Sequence, residues 1–122
     1  MYELKVITQF AAAHQLRIFG GKCEKLHGHN WRIEVSLAGD KLDDGGLLID
    51  FREVKEATDG ILEKLDHSFL NELPQFEDQS PSSENIAAYV FEKLSSKLNN
   101  KRLRVTKVTA WESDSAGVSY SG

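Results

Sequence analysis

Two stretches of this chain alternate apolar and polar residues with a period of two. In the first, Tyr2, Leu4, Val6, Thr8 and Phe10 share one face. In the second, from Asn30 to Leu37, Trp31, Ile33, Val35 and Leu37 oppose Arg32, Glu34 and Ser36. That period belongs to a half-buried β-strand, whose side chains point alternately to opposite faces. Turn signals follow at Ala38-Gly39-Asp40 and Asp43-Asp44-Gly45-Gly46. The period then lengthens. Asp50 stands as an N-cap with Glu53 three residues on, and Phe51, Val54, Thr58, Ile61, Leu62 and Leu65 recur at helical spacing, which predicts a helix to about Leu65. Gly60 inside it costs about 1 kcal/mol against alanine.

Asp66 to Gln79, with Pro74, reads as an irregular connector. A second helix opens at Ser80-Pro81-Ser82-Ser83-Glu84 and carries the stripe Ile86, Ala87, Val90, Phe91, Leu94 and Leu98. Arg104 to Glu112 and Gly117 to Tyr120 are the last strand candidates. The order β-β-α-α-β-β predicts an α+β domain with an antiparallel sheet of four strands and both helices on one face.

No repeat or low-complexity linker interrupts the 122 residues, so residues 1–122 are expected to form one domain. A single cysteine excludes an intrachain disulfide and fits a reduced, cytoplasmic setting. The first residues lack the apolar core of a secretory signal, and no apolar run approaches the ~18 residues of a membrane span. The net charge of −4 argues against a general nucleic-acid binder, which needs a basic face.

The chemistry-bearing residues are few. His27-Gly28-His29 has the i, i+2 spacing that, on a strand running into Trp31, points both imidazoles to one face. Antiparallel pairing of the first two strands would bring His14 near them. Three histidines with an open fourth position is the pattern of a catalytic zinc site; the alternative is two surface histidines beside a turn, with His14 unrelated. Cys23, in a polar tract, is a fourth ligand, a thiolate base or nucleophile near the metal, or a small buried residue. Asp66-His67 is either an acid/base pair or a histidine favoured by a helix C-terminus. Glu112 ends an apolar strand as an exposed acid or as an acceptor for the paired N–H groups of a heterocycle. Ser82 and Ser83 suit helix N-capping, where an anion or ring carbonyl could also be held.

Together these segments resemble the 6-pyruvoyl-tetrahydropterin synthase family, in particular its 6-carboxy-tetrahydropterin synthase branch of queuosine biosynthesis. The resemblance runs nearly end to end: Phe10-Ala11-Ala12-Ala13-His14, Cys23-Glu24-Lys25-Leu26-His27-Gly28-His29-Asn30, Leu65-Asp66-His67-Ser68-Phe69-Leu70-Asn71, Pro81-Ser82-Ser83-Glu84-Asn85 and Trp111-Glu112. Ser82 and Ser113 stand where the family often has Thr. The C-x-x-x-H-G-H spacing and short chain favour the carboxy branch over the longer pyruvoyl enzymes.

The resemblance implies the tunnelling fold, in which four-stranded sheets assemble into barrels as a trimer-based hexamer or related homo-oligomer. It implies active sites at subunit interfaces, with His14, His27, His29, Cys23 and Glu112 from one subunit and Asp66 and His67 from a neighbour. It further implies zinc on the three histidines, Cys23 and the Asp66-His67 pair as opposed proton-transfer groups, and Glu112, Ser82 and Ser83 on the pterin. The expected reaction converts 7,8-dihydroneopterin triphosphate into 6-carboxy-tetrahydropterin, acetaldehyde and triphosphate, with no nucleic-acid or membrane partner. The competing expectations are the pyruvoyl reaction, which eliminates triphosphate and keeps the side chain, and a non-catalytic zinc module closed by Cys23. A triphosphate also calls for a local cationic patch, for which Arg17, Lys22, Lys25 and Arg52 are candidates.

Overall fold

The computed structural model describes residues 1–16 and 25–122. The two alternating segments form β1 (Tyr2–His14) and β2 (His27–Gly39), which pair antiparallel from Tyr2↔Gly39 to His14↔His27. Both strands are longer than their alternation predicts. Ala11, Ala12 and Ala13 are small enough for either face, so β1 continues through them and ends on His14 itself.

On the far side of β2 runs β4 (Leu103–Ser113), antiparallel, with a register shift at Ser36/Leu37. Next comes β5 (Ala116–Tyr120). The sheet differs from the expected one in having a fifth strand. Ser68–Phe69 forms β3, parallel to β1 at Ala12 and Ala13, giving the mixed order β3-β1-β2-β4-β5. Two residues are too few to show a period, which is why the connector looked irregular. The rest of it holds two short 3₁₀ turns, Leu70–Glu72 and Pro74–Phe76.

The helices are α1 (Phe51–Leu62) and α2 (Ser83–Leu98). Asp50 caps α1 by accepting from the Arg52 N–H at 2.8 Å. The helix stops three residues short of Leu65, because the Leu65 and Asp66 N–H groups both turn back to the Leu62 carbonyl. Ser82 caps α2 by accepting from the Asn85 N–H at 3.2 Å.

The core lies between the helices and one face of the sheet. It takes Val6 and Phe10 from β1, Trp31, Ile33, Val35 and Leu37 from β2, and Leu103, Val105, Val108 and Ala110 from β4. Val54, Ile61 and Leu62 of α1 and Ile86, Ala87, Val90 and Leu94 of α2 close it. Phe51 departs from its expected place in the apolar stripe. It is 58% exposed, in a surface groove with Tyr2, Leu42 and Leu47. Among the described residues, no helix is long and apolar enough to cross a membrane.

Candidate metal centre

The core face of the β1–β2 hairpin changes character at its open end. Phe10 pairs with Trp31, the next core-facing pair is Ala12 with His29, and the last is His14 with His27. Side chains of paired residues on one face stand about 5 Å apart, so this register alone gathers three imidazoles. Ring centroids lie 4.7 Å apart for His14–His27, 4.5 Å for His27–His29 and 5.2 Å for His14–His29, all edge-to-face.

Trp31 forms the wall beneath them. It is fully buried, stacks on Phe10 at 5.3 Å, and meets His14 and His29 edge-on at 4.8 and 5.1 Å. Its indole N–H donates to Ser83 Oγ at 3.3 Å, tying the hairpin to the start of α2. The alternation of β2 predicts Trp31 as core; nothing in sequence marks it as the seat of the histidines.

The backbone sets which ring nitrogen faces inward. His14 Nδ1 lies 2.8 Å from the Pro81 carbonyl oxygen, and His27 Nδ1 lies 2.7 Å from that of Lys25. A carbonyl oxygen can only accept, so each Nδ1 carries the proton and each Nε2 presents a lone pair. Those two Nε2 atoms are 3.0 Å apart. Two lone pairs that close repel unless a cation or a proton lies between them. Such carbonyl-oriented imidazoles are the usual supports of metal-ligating histidines.

Glu112 completes the cluster. Its Oε1 is 2.9 Å from His29 Nε2 and 3.4 Å from His14 Nε2. The ligand atoms of His14, His27, His29 and Glu112 all lie within 4.8 Å of one another. Three imidazoles and a carboxylate are a donor set suited to zinc and its first-row neighbours. Glu112 arrives there through a β-bulge: Trp111 pairs with Gly117 and Ser113 with Ala116, leaving Glu112 without a partner on β5. Bulges re-aim side chains in this way.

The second pair of the sequence reading is also assembled. Asp66 Oδ2 lies 2.9 Å from His67 Nδ1. The pair sits past the end of α1, where His67 adopts a left-handed backbone (φ 55°) and donates its N–H to the Ala11 carbonyl at 2.6 Å. A non-glycine residue in that region is uncommon and is held there by its surroundings. The other carboxylate oxygen, Asp66 Oδ1, accepts from the Ala11 N–H at 2.9 Å. This backbone hydrogen bond, followed by the contact with His67, holds the Asp66 carboxyl below its ordinary pKa of 3.8. His67 lines a cleft of about 450 Å³ together with His29, Ala11–Ala13 and Gly28 of the same chain.

Cys23, Arg17 and Lys22 lie outside the described residues. Arg52 is paired with Asp50 at 3.1 Å and belongs to the end of β1 where Tyr2 lies. A strand of 13 residues puts that end about 40 Å from His14, so within one chain Arg52 is remote from the cluster. Ser82 and Ser83 sit at the α2 N-terminus beside Pro81, engaged as described.

Comparison with known proteins shows what the chain is similar to. Residues 3–122 match the family model described as 6-pyruvoyl tetrahydropterin synthase. The chain is 43% identical over 90 residues to a 6-carboxy-5,6,7,8-tetrahydropterin synthase of Synechocystis, covering 70% of this chain and 68% of that one. It is 32% identical over 111 residues to a dihydroneopterin monophosphate aldolase of Pyrococcus furiosus, covering 91% and 90%. Its fold superposes on the structure of Caenorhabditis elegans 6-pyruvoyl tetrahydropterin synthase with a TM-score of 0.86, at 30% identity over 99% of this chain and 95% of that one.

Proposed function

Because the chain belongs to the 6-pyruvoyl tetrahydropterin synthase family, we propose that it is a zinc-dependent lyase converting 7,8-dihydroneopterin triphosphate and water to 6-carboxy-tetrahydropterin, acetaldehyde and triphosphate. The route is that of queuosine formation, and the active form is a cytoplasmic homo-oligomer built from trimers. The observation that carries this reading is the gathering of His14, His27, His29 and Glu112 into one group with ligand atoms within 4.8 Å and Nε2 of His14 and His27 turned inward, together with the likeness to carboxy-branch synthases.

His14, His27 and His29 hold the ion, and the carbonyls of Pro81 and Lys25 fix two of the rings. A bound zinc ion would lower the pKa of side-chain hydroxyls on the substrate and offset the negative charge that develops when a carbon-bound proton leaves. The chain supplies the proton transfers. Cys23, as thiolate, takes a proton from the side-chain carbon next to the pterin ring. His67 exchanges the opposite proton. Its Nδ1 is occupied by Asp66, which leaves Nε2 as the transferring atom. Glu112 accepts from the amino-pyrimidine edge, and the Ser82 and Ser83 hydroxyls donate to the ring carbonyl. Lys25 contributes to the charge that meets the triphosphate.

Incubation with dihydroneopterin triphosphate and assay of acetaldehyde tests the assignment. Stoichiometric acetaldehyde is expected, and triphosphate release without it would assign the pyruvoyl reaction instead. The likeness to the Pyrococcus aldolase favours a second reading at the same residues, retro-aldol cleavage of the monophosphate. That reading predicts a phosphorylated two-carbon hydroxyaldehyde from dihydroneopterin monophosphate, where the first predicts none. A closed, non-catalytic zinc site would bind the metal and turn over neither substrate.

A further inference from the structure

Glu112 stands on the wrong side of the histidines for a mere supporting group. A carboxylate that only orients a metal-bound imidazole hydrogen-bonds the nitrogen away from the metal. On His14 and His27 that place is taken by the carbonyls of Pro81 and Lys25. Glu112 instead reaches the inward Nε2 atoms of two different histidines, at 2.9 and 3.4 Å through a single oxygen. Ligand atoms held 2.0–2.1 Å from a tetrahedral ion lie about 3.4 Å from one another. Oε1 stands at that distance from His14 Nε2 and closer to His29 Nε2, in a group whose ligand atoms all lie within 4.8 Å, so a small shift would seat it as a fourth donor.

A second observation concerns the freedom of Glu112 to move. Its side chain is 34% exposed, against 25% for His29 and none for the fully buried His14. Glu112 is also the bulged residue of its strand, without a β5 partner to fix it. It is the member of the cluster best placed to move. A carboxylate that grips two adjacent N–H donors of a heterocycle uses both oxygens in a fork, and a carboxylate so engaged is drawn off an ion it ligates.

We propose that Glu112 is the fourth metal ligand in the substrate-free protein and leaves the ion when a heterocycle with adjacent N–H donors takes its carboxylate. The exchange opens one coordination position only when substrate is in place. No covalent bond is made or broken and no electrons are transferred. The ligation half rests on the geometry above; the release half rests on the pterin reading of the preceding section.

The test uses the full chain, Co²⁺ or Zn²⁺ alone as the metal probe, and pterin without a side chain as the heterocycle. Glu112→Gln is expected to weaken Zn²⁺ binding by at least about tenfold, and Glu112→Asp, which keeps the carboxylate, by less. Pterin added to the Co²⁺-loaded wild-type protein is expected to alter its visible absorption bands, a readout that needs no variant to fold. Unchanged Zn²⁺ affinity in folded Glu112→Gln, judged by circular dichroism, would overturn the ligation. Calorimetric binding of pterin without any change in the Co²⁺ bands would overturn the release. If pterin does not bind at all, the release half falls together with the substrate assignment, while the Zn²⁺ titration of Glu112→Gln still decides whether Glu112 ligates.

Discussion

The Asn71 side chain grips the backbone of Gln15 from both sides. Its Oδ1 accepts from the Gln15 N–H at 2.9 Å, and its Nδ2 donates to the Gln15 carbonyl at 2.7 Å. An amide side chain thereby imitates one more rung of the β1–β3 ladder, immediately after His14. Asn71→Asp removes the donor and sets an anionic oxygen against a carbonyl. Because the bonds are exposed, Asn71→Ala should cost only about 1–2 kcal/mol in thermal unfolding. Asn71→Asp should be no better despite its equal size, and a melting curve for Asp matching wild type would show the clamp to be idle.

Removing one imidazole should empty the metal site. His27→Ala is expected to lose bound zinc after dialysis, measured by inductively coupled plasma mass spectrometry, because two histidines and a carboxylate hold the ion far less tightly than the full set. Full occupancy in that variant would contradict the ligand assignment.

Cys23→Ala separates the roles open to the thiol. We expect zinc content to stay and turnover to fall by at least 10², the usual yield of a positioned general base. Zinc lost together with the thiol would make Cys23 a ligand and remove it as the base.

Gly117 lies across from Trp111, and a Cβ there would stand 2.6 Å from the indole. Trp111 flanks the bulge that aims Glu112, and the Arg32 guanidinium lies 5.6 Å from its ring centroid. Gly117→Ala should therefore cost about 1–3 kcal/mol in chemical denaturation. It should also weaken metal binding through Glu112, and wild-type values for both would show the ring free to shift.

Asp66 gives a pH dependence of known sign. Its folded pKa is depressed, so its contribution to stability is fully present above the ordinary value of 3.8 and is lost as pH falls through the lower folded value. Acid unfolding of wild type and Asp66→Asn should converge below that range and separate above it. Parallel curves throughout would remove Asp66 as a stabilising carboxylate.

The metal cluster was legible in sequence because its spacing is a strand property. His27 and His29 share a face by the two-residue period, and the antiparallel register brings His14 to them. What escaped depends on partners rather than period. The second strand edge at Ser68–Phe69 is visible only through its pairing with β1. The end of α1 at Leu62 follows from a doubly used carbonyl. The carbonyls of Pro81 and Lys25 carry no residue signature at all. In sequence Glu112 is a strand-end acid or an acceptor for a heterocycle, and the bulge that turns it toward the histidines shows only in the β4–β5 register. Phe51 fitted a helical stripe, yet the first turn of α1 stands outside the core.

His14 closes β1 and His27 opens β2, so in sequence Cys23 lies between two residues of the group that could hold one ion. Bound metal would then act as a cross-link across the base of that segment, restricting the unfolded chain as a disulfide closing about 15 residues does, an effect of about 3 kcal/mol. The oxidant-independent staple that this single-cysteine chain lacks in sulfur is supplied by imidazole. Stripping the metal should loosen the mooring of the thiol as well as empty the centre, so that alkylation of Cys23 becomes a gauge of metal content.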